Sequence, residues 1–185
     1  MRDEQNSLRA VVMTGLFAAM IYIGIWVLRI PLPAVVGRPF IHFGNTLTAV
    51  AILYLGFRNG ALAGIIGLGG FDILNGYAAT SWLTMLEVVV VAAVLSAVYK
   101  GMKYNDNKKN IIILAVIAGV TKIFTSYATM VVAALMAGTA LQPALVAAFL
   151  SLLATVINSC STAVCTPILY FALKDITVRV MKRAH

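Results

Sequence analysis

Apolar runs of membrane-crossing length, separated by short polar stretches, constrain this chain more than any other feature. About 20 mostly apolar residues suffice for one helical crossing, and six such spans use most of the 185 residues. Only 11% of the residues are charged and 62% are hydrophobic, against about 25% charged in soluble domains, so there is too little polar surface to coat a globule in water. That balance excludes a two-domain soluble protein, a disordered chain and a lone anchor carrying an extramembrane domain.

The expected fold is a single all-α integral membrane domain over residues 1–185 with six transmembrane helices, near 8–30, 43–57, 60–76, 82–100, 111–137 and 144–173. Pro31 and Pro33 end the first run. The first run also lacks a small-residue cleavage site, so it reads as a retained span and not a removed signal peptide. The second run is short, which suggests a tilted or partly re-entrant element. Gly56, Gly60 and Gly64 fall at the four-residue spacing of closely packed membrane helices. The glycine-rich third run has neither a preceding strand nor a following Gly-Lys-Ser/Thr, so it is not a phosphate loop. The Asn/Asp-rich stretch at 104–110 is the clearest linker.

The formal net charge of +8 would suggest nucleic acid in a soluble chain. Here the positions of the charges decide otherwise. Eleven of the fourteen Lys and Arg residues fall between even and odd spans or at the chain ends, only Arg29 and Arg38 fall opposite, and Lys122 sits within a span. The asymmetry predicts cytoplasmic termini and contact with anionic lipid. No basic helix interleaved with aromatics is present to read bases. Cys160 and Cys165, five residues apart, read as packing residues, with no disulfide and no metal site expected.

Ionisable groups inside hydrocarbon cost roughly 2.5–3.5 kcal/mol each on insertion scales, so each needs a partner or a task. Asp72, Glu87 and Lys122 are such groups, and Asn45 and Asn158 join them at similar depth. They are expected to converge on a ligand pocket on the outer side. Two readings stand: a buried Glu87–Lys122 pair that only holds spans together, or a site in which Glu87 accepts, Lys122 and Asn158 donate, and Tyr77, Trp82 and Tyr127 stack on a ring. Asp72 either belongs to that site or orders the turn before Asn75-Gly76-Tyr77. His42 is either an interfacial histidine or a ligand contact. Met85, Met130 and Phe149 read as lipid-facing or packing residues. On the first span Ala10, Thr14, Gly15, Ala18 and Ala19 form a strip of small residues that suits internal packing or docking of another membrane protein.

With these residues in view, the chain resembles the S components of energy-coupling factor (ECF) vitamin transporters. The resemblance rests on His42-Phe43-Gly44-Asn45, on Leu55-Gly56-Phe57-Arg58-Asn59-Gly60 running into Ala61-Leu62-Ala63-Gly64-Ile65-Ile66-Gly67, and on Asp72-Ile73-Leu74-Asn75-Gly76-Tyr77. It implies a substrate-capture subunit in a bacterial plasma membrane whose outer loops close over a vitamin. Its partners would be a transmembrane T component and two cytoplasmic ATPase subunits that use the ATP, with no cofactor in this chain. The strip on the first span is similar to the surface by which S components dock on the T component, with Thr14 and Gly15 in place of alanines. The subfamily it looks most like takes hydroxymethylpyrimidine or pyridoxine; riboflavin, thiamine and a stand-alone secondary transporter are the alternatives. Two carboxylates against one lysine independently disfavour a phosphorylated or polycarboxylate ligand. An intramembrane hydrolase would need an activated nucleophile, and neither Gly-x-Ser-x-Gly nor His-x-x-x-His occurs, so no enzyme activity is expected.

Overall fold

Pro31 disfavours helical conformation at Ile30, and α1 (Arg2–Trp26) accordingly stops short of the expected end near residue 30. The chain instead makes a two-stranded antiparallel ribbon, β1 (Ile30–Pro31) with β2 (Phe40–Ile41), pairing Ile30 with Ile41 and Pro31 with Phe40. These features come from a computed structural model that describes residues 2–31 and 40–183, with side chains for 8–31 and 40–175. Pro33 and Arg38 lie outside the described residues.

After the ribbon come α2 (Gly44–Gly64), a π-helical turn (Ile65–Gly69) and α3 (Gly70–Leu74). A 3₁₀ turn (Ala78–Thr80) leads into α4 (Ser81–Gly101), followed by α5 (Lys108–Met136) and α6 (Leu141–Arg183). Among the described residues, five helical segments are long and apolar enough to cross a membrane: Leu8–Trp26, Gly44–Leu74, Ala78–Gly101, Lys108–Met136 and Leu141–Asp175. The expected spans 43–57 and 60–76 therefore fall within one helical stretch.

That stretch is not straight. Gly56 has φ 74° and ψ −174°, a conformation open to glycine and strained for other residues. Beyond it the helix doubles back on itself: a β-carbon at Gly60 would lie 2.4 Å from the Ile52 Cα, and one at Gly64 would lie 2.7 Å from the Thr48 methyl. Residue pairs 52/60 and 48/64 are both centred on 56, the signature of an antiparallel helical hairpin. Gly60 and Gly64 thus let the two arms touch, as their spacing suggested, whereas Gly56 is the bend and not a packing position.

Lipid offers apolar helices no hydrophobic reason to associate, so close packing and polar contacts must hold them together. Ile52, Leu95, Leu114 and Tyr170 centre one packed cluster, and Phe17, Ile21, Val50 and Phe71 another. Gly67 admits Ile21 and the Ala18 carbonyl, and Gly119 admits the Ser159 carbonyl. Asn107 precedes α5, and its side chain accepts from the Asn110 N–H (2.8 Å) and so caps the helix. α6 begins at Leu141, with Pro143 tolerated in its first turn. It runs past the expected end near residue 173 and keeps Pro167 inside.

Candidate functional site

A cavity of about 270 Å³ opens where the ribbon, α2, α3, α4, α5 and α6 meet. All five polar residues expected at depth, Asn45, Asp72, Glu87, Lys122 and Asn158, line it, as do His42 and Tyr77. Their placement follows from helical phase. Leu83, Thr84 and Glu87 share one face of α4; Lys122, Ser126, Thr129 and Ala133 share one face of α5.

Glu87 is buried at 6% exposure and fully engaged. Lys122 pairs with it, and Thr129 and Ser126 both donate to its carboxylate. Asp72 has one side-chain donor, Thr84 Oγ1 at 2.5 Å, so most of its acceptor capacity remains open. Its backbone carbonyl accepts from the Tyr77 N–H (2.8 Å), and Asn75 orders the same turn by donating to the Phe71 carbonyl (2.8 Å). Asp72 thus both lines the cavity and orders the turn. The open carboxylate is Asp72, whereas Glu87, expected to be the acceptor, is already satisfied.

Asn158 is placed differently from expectation. Its Oδ1 accepts from the His42 backbone N–H (3.0 Å), and its Nδ2 donates to the Phe40 carbonyl (3.1 Å). The amide is engaged with the backbone of the ribbon, where the sequence reading made it a donor to the ligand. His42 lines the cavity half-buried; its Nδ1 accepts from the Gly44 N–H (3.1 Å). Burial, with the Lys122 and Arg29 charges behind it, pushes the imidazole down to about 3.

Trp82 and Tyr127 do not line the cavity. Trp82 is 47% exposed, because it precedes Leu83 by one residue and so points off the lining face of α4. Tyr127 follows Ser126 and is turned off the lining face of α5 in the same way. The aromatic walls are Phe40, Phe71 and Tyr77, with the Arg29 guanidinium 4.2 Å from the Phe40 ring centroid and donating to the Tyr77 hydroxyl (3.3 Å). Sequence reasoning missed Phe40 and Phe71, and it treated Arg29 only as a topology marker. It also missed Thr84, Ser126 and Thr129, although hydroxyls repeating on one face of an apolar helix are a readable signal. Met130, taken as lipid-facing or packing, lines the cavity; Phe149 is exposed and Met85 packs on Gly69.

The strip on α1 divides. Thr14 and Ala18 are buried inside the chain, Thr14 donating to the Ala10 carbonyl (2.7 Å) and Ala18 lying against Gly67. Those two residues are therefore internal packing, a correction to the docking reading. Gly15 and Ala19 remain exposed, and Ala10 is half-exposed. Cys160 is exposed and Cys165 half-buried, both as free thiols, so Cys160 is not a packing residue. Among the described residues no group of three or more His, Cys, Asp or Glu side chains is placed to hold a metal.

No curated protein and no solved structure matches the chain. One family model does, described as the S component of ECF-type riboflavin transporters, over residues 5–175. S components of this kind are vitamin-binding subunits and not enzymes, and they work in a membrane complex with T and ATPase subunits. A multi-pass helical chain with a polar cavity sunk among its spans is the architecture such a subunit requires. With nearly its whole length matched, the chain belongs to the ECF-type riboflavin transporter S component family.

Proposed function

We propose that this subunit captures a compact, hydroxylated nitrogen heteroaromatic of the hydroxymethylpyrimidine or pyridoxine kind at the outer face of a bacterial plasma membrane. The observation that carries the reading is the pairing of a small cavity with its charge state. At about 270 Å³ it lies just below the roughly 300–1,000 Å³ of most small-molecule sites, which suits a single ring better than a tricyclic flavin with its polyol chain. Lys122 neutralises Glu87, so Asp72 leaves a surplus acceptor for a ring N–H, a hydroxyl or a protonated ring nitrogen. Phe40, Phe71 and Tyr77 supply stacking walls. Riboflavin is the second reading, favoured by the family description itself.

The doubling back at Gly56 supports six crossings, with the hairpin counting as two. Six crossings put both termini on one side, and the excess of Lys and Arg there assigns that side to the cytoplasm and the cavity to the outside. Gly15 and Ala19, with Ala10 beside them, are the part of the α1 strip left to dock on the T component. ATP is then consumed by two partner ATPases, and this chain carries no cofactor. Calorimetry on the purified subunit with pyridoxine, hydroxymethylpyrimidine, thiamine and riboflavin tests the ligand. Binding of pyridoxine or hydroxymethylpyrimidine well ahead of the others is expected; binding of riboflavin alone would replace this reading with the second.

A further inference from the structure

We propose that His42 is a specificity-determining contact of the capture site: a neutral imidazole that offers one N–H, at Nε2, and so selects a ligand with a ring nitrogen or carbonyl oxygen at that point of the wall. The inference rests on the capture reading above. It begins at the N-terminus of α2, where the first backbone N–H groups have no helical partner. Gly44 donates one of them to His42 Nδ1 at 3.1 Å. A ring nitrogen that accepts carries a lone pair, so the proton of the neutral ring sits on Nε2. Nε2 has no partner among the described residues, and the side chain that bears it lines the cavity.

The surroundings keep the ring neutral. Lys122 and Arg29 put positive charge around it, Phe40 packs against it at 5.1 Å between centroids, and burial acts in the same direction. Other uncharged donors stand elsewhere on the cavity wall, the Asn45 amide and the Tyr77 hydroxyl among them. Glu87 and Asp72 are acceptors, and the Lys122 ammonium is committed to Glu87. His42 adds an N–H on the ribbon side of the wall, beside the Phe40 ring.

Asn158 is a positioning residue for this contact. By bonding the carbonyl of Phe40 and the N–H of His42 together, it fixes the register of the segment that carries both side chains. It acts on the ligand through them.

Two histidines occur in the chain, His42 and His185. The subunit carrying His185→Ala and ¹⁵N-labelled histidine therefore reports on His42 alone. At pH 7, without ligand, long-range ¹H–¹⁵N correlations should show a protonated Nε2 and an unprotonated Nδ1; the opposite tautomer or an imidazolium overturns the inference. Calorimetry then uses whichever of pyridoxine, hydroxymethylpyrimidine and riboflavin binds the wild type. His42→Phe should weaken binding by about tenfold or more, while His42→Gln, which keeps an N–H, should recover most of it. Equal loss in both variants, or loss in neither, overturns the donor role. Asn158→Leu should weaken binding in the wild type and change it little in the His42→Phe background, whereas additive losses would make Asn158 a ligand contact. If Asn158→Leu does not fold, Asn158→Asp, which keeps the acceptor for the His42 N–H, serves the same cycle. Failure of all three vitamins to bind the wild type removes the capture reading and this inference with it, while a wrong tautomer removes this inference alone.

Discussion

Breaking the Glu87–Lys122 pair leaves one uncompensated charge at membrane depth, so each single substitution should be costly and the pair of substitutions much less so. Lys122→Met strands a carboxylate that Thr129 and Ser126 only partly satisfy; Glu87→Gln strands an ammonium. Each should lower stability by on the order of 3 kcal/mol, and the double variant should recover much of that in thermal melts of the purified subunit. Asp72→Asn is the contrasting case, because Asp72 bonds a hydroxyl and among the described residues forms no ion pair within 4 Å. It should fold normally and lose about 1.5–3 kcal/mol of vitamin affinity by calorimetry. A third residue-scale expectation concerns pH. Folding holds His42 neutral down to about 3, whereas the unfolded chain takes up its proton near 6.5. The unfolded state therefore binds more protons between those values, and stability should be full above pH 6.5 and fall as the pH drops below it. Melting temperatures followed from pH 7.5 to 5 should show that slope, and His42→Phe should flatten it. These residues were legible because Asp72, Glu87, Lys122 and Asn158 are chemically out of place in apolar runs. Trp82 and Tyr127 were misplaced because an aromatic near a site is not thereby in phase with it; one residue along a helix turns the side chain by about 100°.

Helix by helix, the sequence recorded runs of apolar residues more clearly than the bends within them. The hairpin in α2 depends on a single glycine, and its Gly56-Phe57 context gives no sign that the next residue reverses direction. Gly56→Ala should force φ back toward negative values at a cost of about 1–3 kcal/mol and lower the melting temperature. Gly15→Ala, where a β-carbon would meet nothing within 4 Å, should change little. α1 shows the same limit of sequence reading. Its strip of small residues was visible, but which half faces inward was set by Gly67 on another element. Ala18→Trp should consequently unfold the subunit, and Gly15→Val with Ala19→Val should leave vitamin binding intact while ending co-purification with the T component. Loss of binding in that double variant, with assembly retained, would place docking on another face. α6 carries a further pattern in plain sight: Asn158, Thr162, Thr166, Tyr170 and Lys174 recur every fourth residue on one face. Four of the rungs meet the ribbon, Thr46 of the hairpin, and Asp106 in the turn before α5, where Lys174 (2.5 Å) and Tyr170 (3.2 Å) hold the Asp106 carboxylate below the usual range, while the buried Thr166 hydroxyl has no hydrogen-bond partner among the described residues. Such a stripe glues helices that gain nothing from apolar contact alone.

Across the whole molecule, the number of crossings follows from how the hairpin is accommodated in a bilayer. The arm 44–55 is only roughly 18 Å long at 1.5 Å per residue, and 57–74 roughly 27 Å, against a hydrocarbon thickness of about 30 Å. For two crossings the shorter arm would be completed by the ribbon segment that precedes it, and non-helical backbone at membrane depth is tolerated only where protein satisfies its polar groups. Asn158 does this for the Phe40 carbonyl and the His42 N–H, and the antiparallel pairing joins Ile30 with Ile41. On the six-crossing topology proposed above, the hairpin enters and leaves on the cavity side, with Arg58 at its far end. Parity then separates the two topologies: with the hairpin counted as two crossings the termini share a side, and with it counted as one they are opposed. In a background with Cys160→Ser and Cys165→Ser, Asn59→Cys at the bend should resist a membrane-impermeant maleimide added to whole cells and react once the cells are opened. Gln142→Cys, between α5 and α6, should react from outside. A tag at either terminus should be protected in intact cells and digested in inverted vesicles. Opposite accessibility of the two termini would require a single crossing for residues 44–74, and it would move the cavity mouth, the basic residues and the exposed Gly15 and Ala19 face out of the arrangement that capture from outside and docking within the membrane both need.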